Sequence, residues 1–432
     1  MINIGIIGFG TVGTGTAGIL LKNRGLLKQR TGIDINLRKI ADLDISRDRG
    51  IRLPKGILTT KAEELFNDSQ IHIIVELIGG TTLAKEMILR AIRAGKHVVT
   101  ANKALLATHG IEIFKAAEKS GVEVGFEAAV AGGIPIIKVL REGLVANRIK
   151  AVYGIINGTT NYILSKMSAE KALFSDVLKD AQRLGYAEAD PTYDIEGIDS
   201  AHKLAILASI AFGRQFTIKD VYREGISWIS PSDIEFAREL GCKLKLLGIA
   251  KETNGQVELR VHPTMVPEDL LISKVDGVFN AVYVEGDAVG STLYYGRGAG
   301  DLPTGSAVVS DIVDISRDIT ANSVGRLRAF ATSEKPMPLM KMDEVMSMYY
   351  FRFSAIDKPG VLSKISGILG KHNISIASVI QKDRMEGKAV PLVVLTHMAR
   401  EKGVVSAMKD INRLKIVAGK TVFIRVEGKE HH

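Results

Sequence analysis

From Met1 to about Val130, short unbroken apolar runs alternate with amphipathic ones: INIGIIG, TVGTGTAGILLKNR, INLRKIAD, IHIIVELIG, AKEMILRAIRAG, HVVTAN and VEVGFEA. Continuous apolar strands separated by helices bury both faces of a sheet, so this stretch predicts a doubly wound parallel α/β domain. From Ile134 to about Leu302 helical and strand patterns mix, with the alternating run FNAVYVEG late in the segment, which predicts an α+β unit. Thr304 to Ile319, TGSAVVSDIVDISRDI, has helical spacing after a glycine loop and is expected to pack back on the first domain. Residues 331–345 carry two prolines and little periodicity and read as a linker. The remainder runs strand, helix, strand, strand, helix, strand (YYFRFSAI, GVLSKISGILGKH, ISIASVIQK, VPLVVLTH, VVSAMKDINRL, TVFIRVE), the ferredoxin-like βαββαβ order.

The length of 432 residues allows two or three domains, and 46% hydrophobic with 24% charged residues is ordinary for soluble globular proteins. The formal charge of +9 is scattered, with no run of five basic residues and no interleaved aromatics, so it argues for anionic cofactors over nucleic acid. Cys242 is the only cysteine, which excludes an intrachain disulfide and predicts a buried structural thiol. No signal-peptide pattern opens the chain and no apolar run approaches bilayer length; no membrane association and a cytoplasmic location are expected. His431 and His432 suggest no metal site.

Gly8, Gly10 and Gly13 form GxGxxG in GFGTVG, directly after a predicted strand and at the opening of a predicted helix. The first glycine permits the tight turn, the second lets the backbone approach a pyrophosphate, and the third lets helix and strand pack closely. The helix N-terminus favours the anion. The next strand, INLRKIAD, ends at Asp42, with Asp44 two residues on. A carboxylate there hydrogen-bonds the adenosine ribose and repels a 2′-phosphate, favouring NAD over NADP; the alternative is a turn aspartate. Arg38, Lys39, Arg47 and Arg49 are near enough in sequence to offer a phosphate a partner.

HVVTANK, His97 to Lys103, is a buried-strand pattern running into polar residues at its carboxyl end, where open α/β sheets place ligands. Lys103 then faces the cofactor crevice, or else begins a solvated helix. FEAAVAGGIPII, with Gly132, Gly133 and Pro135, is either a turn exposing carbonyls to a monovalent cation or a domain crossover. NGTTN, Asn157 to Asn161, supplies small polar donors before a helix.

Gly185 to Lys203, GYAEADPTYDIEGIDSAHK, crowds Glu188, Asp190, Asp194, Glu196 and Asp199 beside a lysine in a basic protein. Crowded carboxylates repel one another, so the stretch points to a cationic ligand or a proton to be handled. Asp199 and Lys203 are four apart on a helix whose apolar face is expected at Leu204, Leu207, Ile210 and Ala211; on spacing alone they equally form a solvated ion pair. Reducing an aldehyde needs a proton on the emerging alkoxide, which a lysine ammonium can supply. Asp199 would orient Lys203, and Glu188 and Asp194 would take a substrate's amino group. His202, about 100° round the helix from Lys203, reads as structural.

Ala181, Gly185, Asp190-Pro191, Asp194, Gly197, Asp199 and Lys203, with GFGTVG, TANK, EAAVAGGIP, NGTTN and YYGRGAGDLPTGSAVVSD (Tyr294 to Asp311) in the same order, make the chain resemble homoserine dehydrogenases along essentially its whole length. The resemblance implies NAD(P)-linked interconversion of L-aspartate 4-semialdehyde and L-homoserine. It implies Lys203, Asp199 and Lys103 at the reaction centre, and Glu188, Asp194, Gly158 and Thr159 around the substrate. It places the cofactor on Gly8, Phe9, Gly10, Thr11, Val12, Gly13, Asp42, Thr100, Lys103 and Gly300. Sodium would sit on backbone carbonyls of Glu127, Val130, Gly132 and Ile134, with little dependence on side chains. Ala41 departs from the family: many members carry arginine or lysine there, and its absence supports NAD or dual use.

The segment from about Tyr349 to Glu427 is similar to ACT domains, through DKPGVL (Asp357 to Leu362) and HNISI (His372 to Ile376), which implies threonine as an effector or else a purely dimerising module. The expected architecture is thus a Rossmann-type dinucleotide-binding domain (1–132 plus 303–330), a catalytic and dimerisation domain (133–302), a linker (331–345) and an ACT domain (346–428), assembled as a homodimer or homotetramer. The competing functions are another NAD-dependent dehydrogenase of an amino-acid aldehyde or imine, and a catalytically silent amino-acid sensor.

Overall fold

The structure is a computed structural model that describes residues 1–330, 335–382 and 386–428. Part of the expected linker, 331–334, and the terminal His431 and His432 lie outside the described residues. The chain divides into two compact units: 1–158, 198–221 and 278–337 in the first, and 159–197, 222–277 and the chain from 338 onward in the second. The central segment 133–302 therefore contributes to both.

In the first unit six parallel strands, β1 (Ile2–Ile7), β2 (Ile35–Ala41), β3 (Leu58–Thr59), β4 (Ile73–Glu76), β5 (His97–Thr100) and β6 (Val124–Gly125), lie in the order 3-2-1-4-5-6. Strand β1 is buried at all its positions, which is why its sequence is an unbroken apolar run. The order reverses between β1 and β4, so the loop after β1 opens at the switch point where such sheets bind ligands. The helix Asp301–Thr320 sets Val308, Ile312 and Ile315 into the same core as Ile2, Ile4 and Ile6. It also packs on the helix Thr11–Lys22, with backbone against backbone: a Cβ on Gly15 would lie 2.2 Å from the Asp301 carbonyl oxygen. A second, antiparallel layer is formed by Ile149–Ile155, Phe279–Gly286 and Gly290–Arg297.

The second unit is built on the hairpin Cys242–Thr253 and Gln256–Pro267. Its turn is Asn254-Gly255, both with positive φ (51° and 76°), the pairing that matches the twist of two-residue hairpins. Gln256–Pro267 pairs in parallel with Val422–Val426, and the sheet continues through Met346–Ile356 and Ala389–Thr396 to Ile376–Ile380. Those last four strands and the helices Val361–Lys371 and Glu401–Ile411 are the βαββαβ unit, closed over Tyr349, Phe351, Phe353, Ile365, Leu369, Val404 and Ile411. Pro338 to Met340, expected to be linker, bond to Val257 through Val257 N–H to the Pro338 carbonyl (2.9 Å) and Met340 N–H to the Val257 carbonyl (2.9 Å). Cys242 is buried, and burial pushes its thiol up to about 11. Among the described residues no helix is long and apolar enough to cross a membrane.

Candidate active site

The glycine loop separates three roles. Gly8 holds φ +100°, and a Cβ there would lie 2.6 Å from the Leu77 carbonyl carbon at the end of β4. A Cβ on Gly13 would lie 2.2 Å from the Gly8 carbonyl oxygen, so helix and loop touch only because it is absent. A Cβ on Gly10 would meet nothing within 4 Å. Its bareness serves no internal packing and leaves an open cradle at the start of the helix Thr11–Lys22, where Gly10 offers no side-chain cap. That cradle fits a pyrophosphate. Thr11 is exposed and Val12 half-buried in the first turn.

Asp42 follows β2, and its Oδ2 accepts the Phe9 N–H at 2.5 Å, so the carboxylate anchors the glycine loop. Arg49 closes the same corner: Nε donates to the Phe9 carbonyl (2.5 Å), Nη2 lies 3.3 Å from Asp42 Oδ1, and the guanidinium sits 4.7 Å from the Phe9 ring centre. Arg38 and Lys39 pair with Asp68 (2.5 Å) and Glu64 (2.7 Å), and Asp44 caps Ser46 (2.8 Å). At the ends of β4 and β5, buried Thr100 donates its hydroxyl to Glu76 Oε2 (2.7 Å). Glu76 was not singled out from the sequence. It is a fully buried carboxyl, raised by that burial, that also accepts the Ile78 and Gly79 N–H groups (2.9 and 3.3 Å); its one sequence signal is an acid closing the apolar run IHIIVE. Gly300, with φ +128°, caps Asp301–Thr320.

The three residues expected at the reaction centre meet within the first unit. Asp199 and Lys203 lie in the opening turns of the helix Ile198–Phe212, and Lys203 Nζ donates to Asp199 Oδ2 (2.7 Å) and to the Ile156 carbonyl (2.7 Å). Lys103 begins the helix Lys103–Lys119, capped by Asn102, and its Nζ lies 3.2 Å from Asp199 Oδ1. Asn157 Nδ2 adds a bond to Asp199 Oδ2 (2.9 Å), a contact the motif NGTTN did not reveal because the residues are 42 apart. Asp199 and Lys203 are 4% and 9% exposed, so the pair is not a solvated one. Burial opposes the charge on Asp199, but Lys203 and Lys103 outweigh it and hold the carboxyl down at about 2. The expected apolar face is also incomplete: Leu204 and Leu207 are buried, Ile210 and Ala211 only half-buried, while Ser200, Ala201, Ala205 and Ala208 are buried on other sides. The helix runs through the unit against Lys103–Lys119 and Ile149–Ile155, and small residues let those neighbours close in. His202 is buried, Nδ1 against the Ile198 carbonyl (3.0 Å).

Glu188, Asp194 and Thr159 belong to the second unit. Glu188 is exposed and Asp194 half-buried in the short helix Thr192–Ile195, while Asp190 caps Thr192 (3.1 Å). Thr159 donates to the Tyr186 carbonyl (2.6 Å), joining the start of its helix to the acidic stretch. Gly158, one residue earlier, falls in the first unit, where a Cβ would lie 2.7 Å from the Val278 carbonyl oxygen.

At the glycine turn, Ala131 (φ 55°) and Gly132 (φ 46°) are successive left-handed residues between Val130 and Ile134, and the turn packs on Gly298, whose carbonyl oxygen would be 2.5 Å from a Gly132 Cβ. Two buried carboxylates brace the turn's backbone. The Glu127 carboxyl is buried and accepts Ile137 and Lys138 N–H (2.8 and 2.9 Å), and Asp311 accepts Glu127 N–H (2.8 Å). Burial, with the neighbouring acid, pushes Glu127 up to about 8, and burial pushes Asp311 up to about 7. Among the described residues no group of three or more His, Cys, Asp or Glu side chains is placed to hold a metal, so a cation here would depend on backbone carbonyls.

Comparison with known proteins places this arrangement. The chain is 49% identical over 429 residues to the homoserine dehydrogenase of Neisseria gonorrhoeae, covering 99% of this chain and 98% of the relative. The chain belongs to the homoserine dehydrogenase family. The family's models match in order: its NAD-binding domain over residues 8–127, homoserine dehydrogenase over 135–313, and an ACT domain over 349–415. A homoserine dehydrogenase from Pseudomonas aeruginosa is 48% identical over 432 residues, with 99% of both chains covered. The crystal structure of a homoserine dehydrogenase from Thiobacillus denitrificans superposes with a TM-score of 0.93 at 50% identity, over 99% of this chain and 98% of that one. A hyperthermophilic archaeal homoserine dehydrogenase, solved in complex with NADPH, matches 73% of this chain and 97% of its own, with a TM-score of 0.61 and 28% identity. As a homoserine dehydrogenase the chain is an NAD(P)-dependent oxidoreductase with a C-terminal ACT domain.

Proposed function

We propose that the protein interconverts L-aspartate 4-semialdehyde and L-homoserine at the Lys103–Asp199–Lys203 cluster, with Glu188 and Asp194 taking the substrate's amino group and Gly158 and Thr159 beside it. The observation that carries this is one buried carboxylate holding two lysine ammonium groups, at 2.7 and 3.2 Å. Two cations around one anion leave a net positive pole for the developing alkoxide. The bound dinucleotide supplies the hydride chemistry. One lysine ammonium gives its proton to the alkoxide oxygen, Asp199 orients both lysines, and Asn157 fixes Asp199. Oxidation of NADH followed at 340 nm with aspartate semialdehyde tests the reaction, and Lys103→Arg compared with Lys203→Arg tells which lysine delivers the proton. Absence of turnover in the wild-type chain would overturn the assignment.

We also propose that NAD is preferred and NADP accepted. Asp42 ends β2 beside the glycine loop, and of the four nearby basic residues Arg49 is the one in contact with it. The NADPH-bound archaeal relative supports dual use. Sodium on the carbonyls of Glu127, Val130, Gly132 and Ile134, threonine as effector of the ACT domain, and a homodimer or homotetramer complete the proposal. Activity with NADH against NADPH, with sodium against potassium, and under threonine titration, tests each in turn.

A further inference from the structure

We propose that Glu224 is a positioning residue, tying the last strand of the ACT domain to the acidic stretch that receives the substrate. This rests on the assignment of Glu188 and Asp194 to the substrate's amino group. The residues from Glu224 to Ser227 make two sets of contacts within the second unit. On one side, Glu224 Oε1 accepts from Arg425 Nη2 at 3.0 Å and from the Tyr222 hydroxyl. Arg425 lies in the strand Val422–Val426, its side chain 1% exposed, and pairs with Glu401, whose Oε2 takes Arg425 Nε at 2.9 Å and the Tyr349 hydroxyl at 2.6 Å. A guanidinium so deeply buried is confined to its carboxylates, because a buried charge left without its partner is strongly destabilising.

On the other side the backbone takes over. Ile226 N–H donates to the Ile195 carbonyl at 2.9 Å, and Ser227 Oγ lies 3.3 Å from Glu196 Oε1. A Cβ on Gly225 would fall 2.7 Å from the Ile195 carbonyl oxygen and 2.5 Å from Glu196 Oε2, so the two segments touch with no side chain between them. Gly197, held at φ +73°, lies alongside: a Cβ there would be in ordinary contact with the Glu224 carbonyl oxygen (3.5 Å) and tight against Val261 Cγ1 (3.2 Å). Glu224 N–H is itself bonded to the Val261 carbonyl (2.8 Å) in the strand that pairs with Val422–Val426. Gly225 alone thus separates the residue that contacts Arg425 from the residue that contacts Ile195, and the connection has no slack. Asp194 is the residue before Ile195.

Glu224→Gln keeps the shape and removes the charge, with Arg425 still compensated by Glu401. The KM for aspartate semialdehyde is expected to rise about five- to ten-fold while kcat and the KM for the dinucleotide change less than about two-fold. Gly225→Ala, which intrudes on Ile195 directly, is expected to give the same split. Lys382→Ala breaks a contact from the ACT domain to Glu239 that does not involve the stretch, and should leave KM unchanged. Hydrogen exchange of the Glu196 to Gly197 and Ile226 amides should speed up in Glu224→Gln and stay as in wild type in Lys382→Ala. An unchanged KM in both Glu224→Gln and Gly225→Ala, or an equal rise in Lys382→Ala, overturns the proposal. Were the wild-type chain inactive on the semialdehyde, the substrate assignment would fall, and the exchange comparison alone would support or overturn the tether.

Discussion

At the scale of single residues, the chemistry concentrates on Asp199. Its two oxygens hold Lys203, Lys103 and Asn157, and the lysines keep it ionised to about pH 2. Lys203→Ala is expected to lower kcat by about 10²- to 10⁴-fold, the usual worth of a positioned proton donor, while the dinucleotide Kd measured by fluorescence titration stays nearly constant. Asp199→Asn leaves Lys203 buried without its counter-charge and should cost on the order of 3 kcal/mol of stability at pH 7. Because the folded-state pKa is depressed, this contribution is complete above about pH 4, the unfolded value, and is lost as pH falls towards 2. Thermal melts of the two proteins should therefore differ by the full amount at all pH values above about 4 and converge as pH falls towards 2. The Asp199–Lys203 pair was legible in the sequence because helical geometry alone brings residues four apart together. Asn157, Lys103 and Ile156 were joined to it only by folding.

The element that carries the cofactor assignment is the loop between β1 and the helix Thr11–Lys22, and its glycines make separable predictions. Gly10→Ala intrudes on nothing in the free protein, so its melting temperature should stay near wild type while affinity for NADH falls at least about ten-fold as the methyl group meets the pyrophosphate. Gly13→Ala places a Cβ 2.2 Å from the Gly8 carbonyl oxygen, so it should lower both the melting temperature and the affinity. Equal destabilisation by both variants would remove the distinction. The elements themselves were readable from hydrophobic period where one face or both faces of a strand are buried, as in β1 and Met346–Ile356. The helix Ile198–Phe212 was misread in part: a helix inside a unit is buried on several sides, and alanine and serine at close-packed positions look like a polar face.

At the scale of the whole molecule, the ACT domain is part of the second unit and is bonded to it through buried charge. Arg352 grips Asp233 at 2.7 and 3.0 Å, Arg425 pairs with Glu224, and Arg260 pairs with Glu427 at 2.8 Å. A chain ending at Val345 would leave fully buried Asp233 without its arginine and uncover one edge of Gln256–Pro267. That truncated chain is expected to melt at lower temperature than the full-length protein and to aggregate, as sedimentation would show; a monodisperse product of unchanged stability would contradict the buried joint. Regulation by threonine is therefore best tested on the full chain. The sequence by itself determined the glycine loop, the βαββαβ order, the motif series and the i,i+4 lysine and aspartate, because each depends on local period or on short spacing. Only the tertiary structure decided the contact by which Lys103, placed at the reaction centre by resemblance, reaches Asp199, that Asn157 joins it, that Glu76 and Thr100 share a buried bond, and that Pro338 to Met340 of the expected linker are bonded to a strand of the sheet. Those contacts join residues distant along the chain, and the two lysines that keep Asp199 ionised against its burial surround it only once the core has closed.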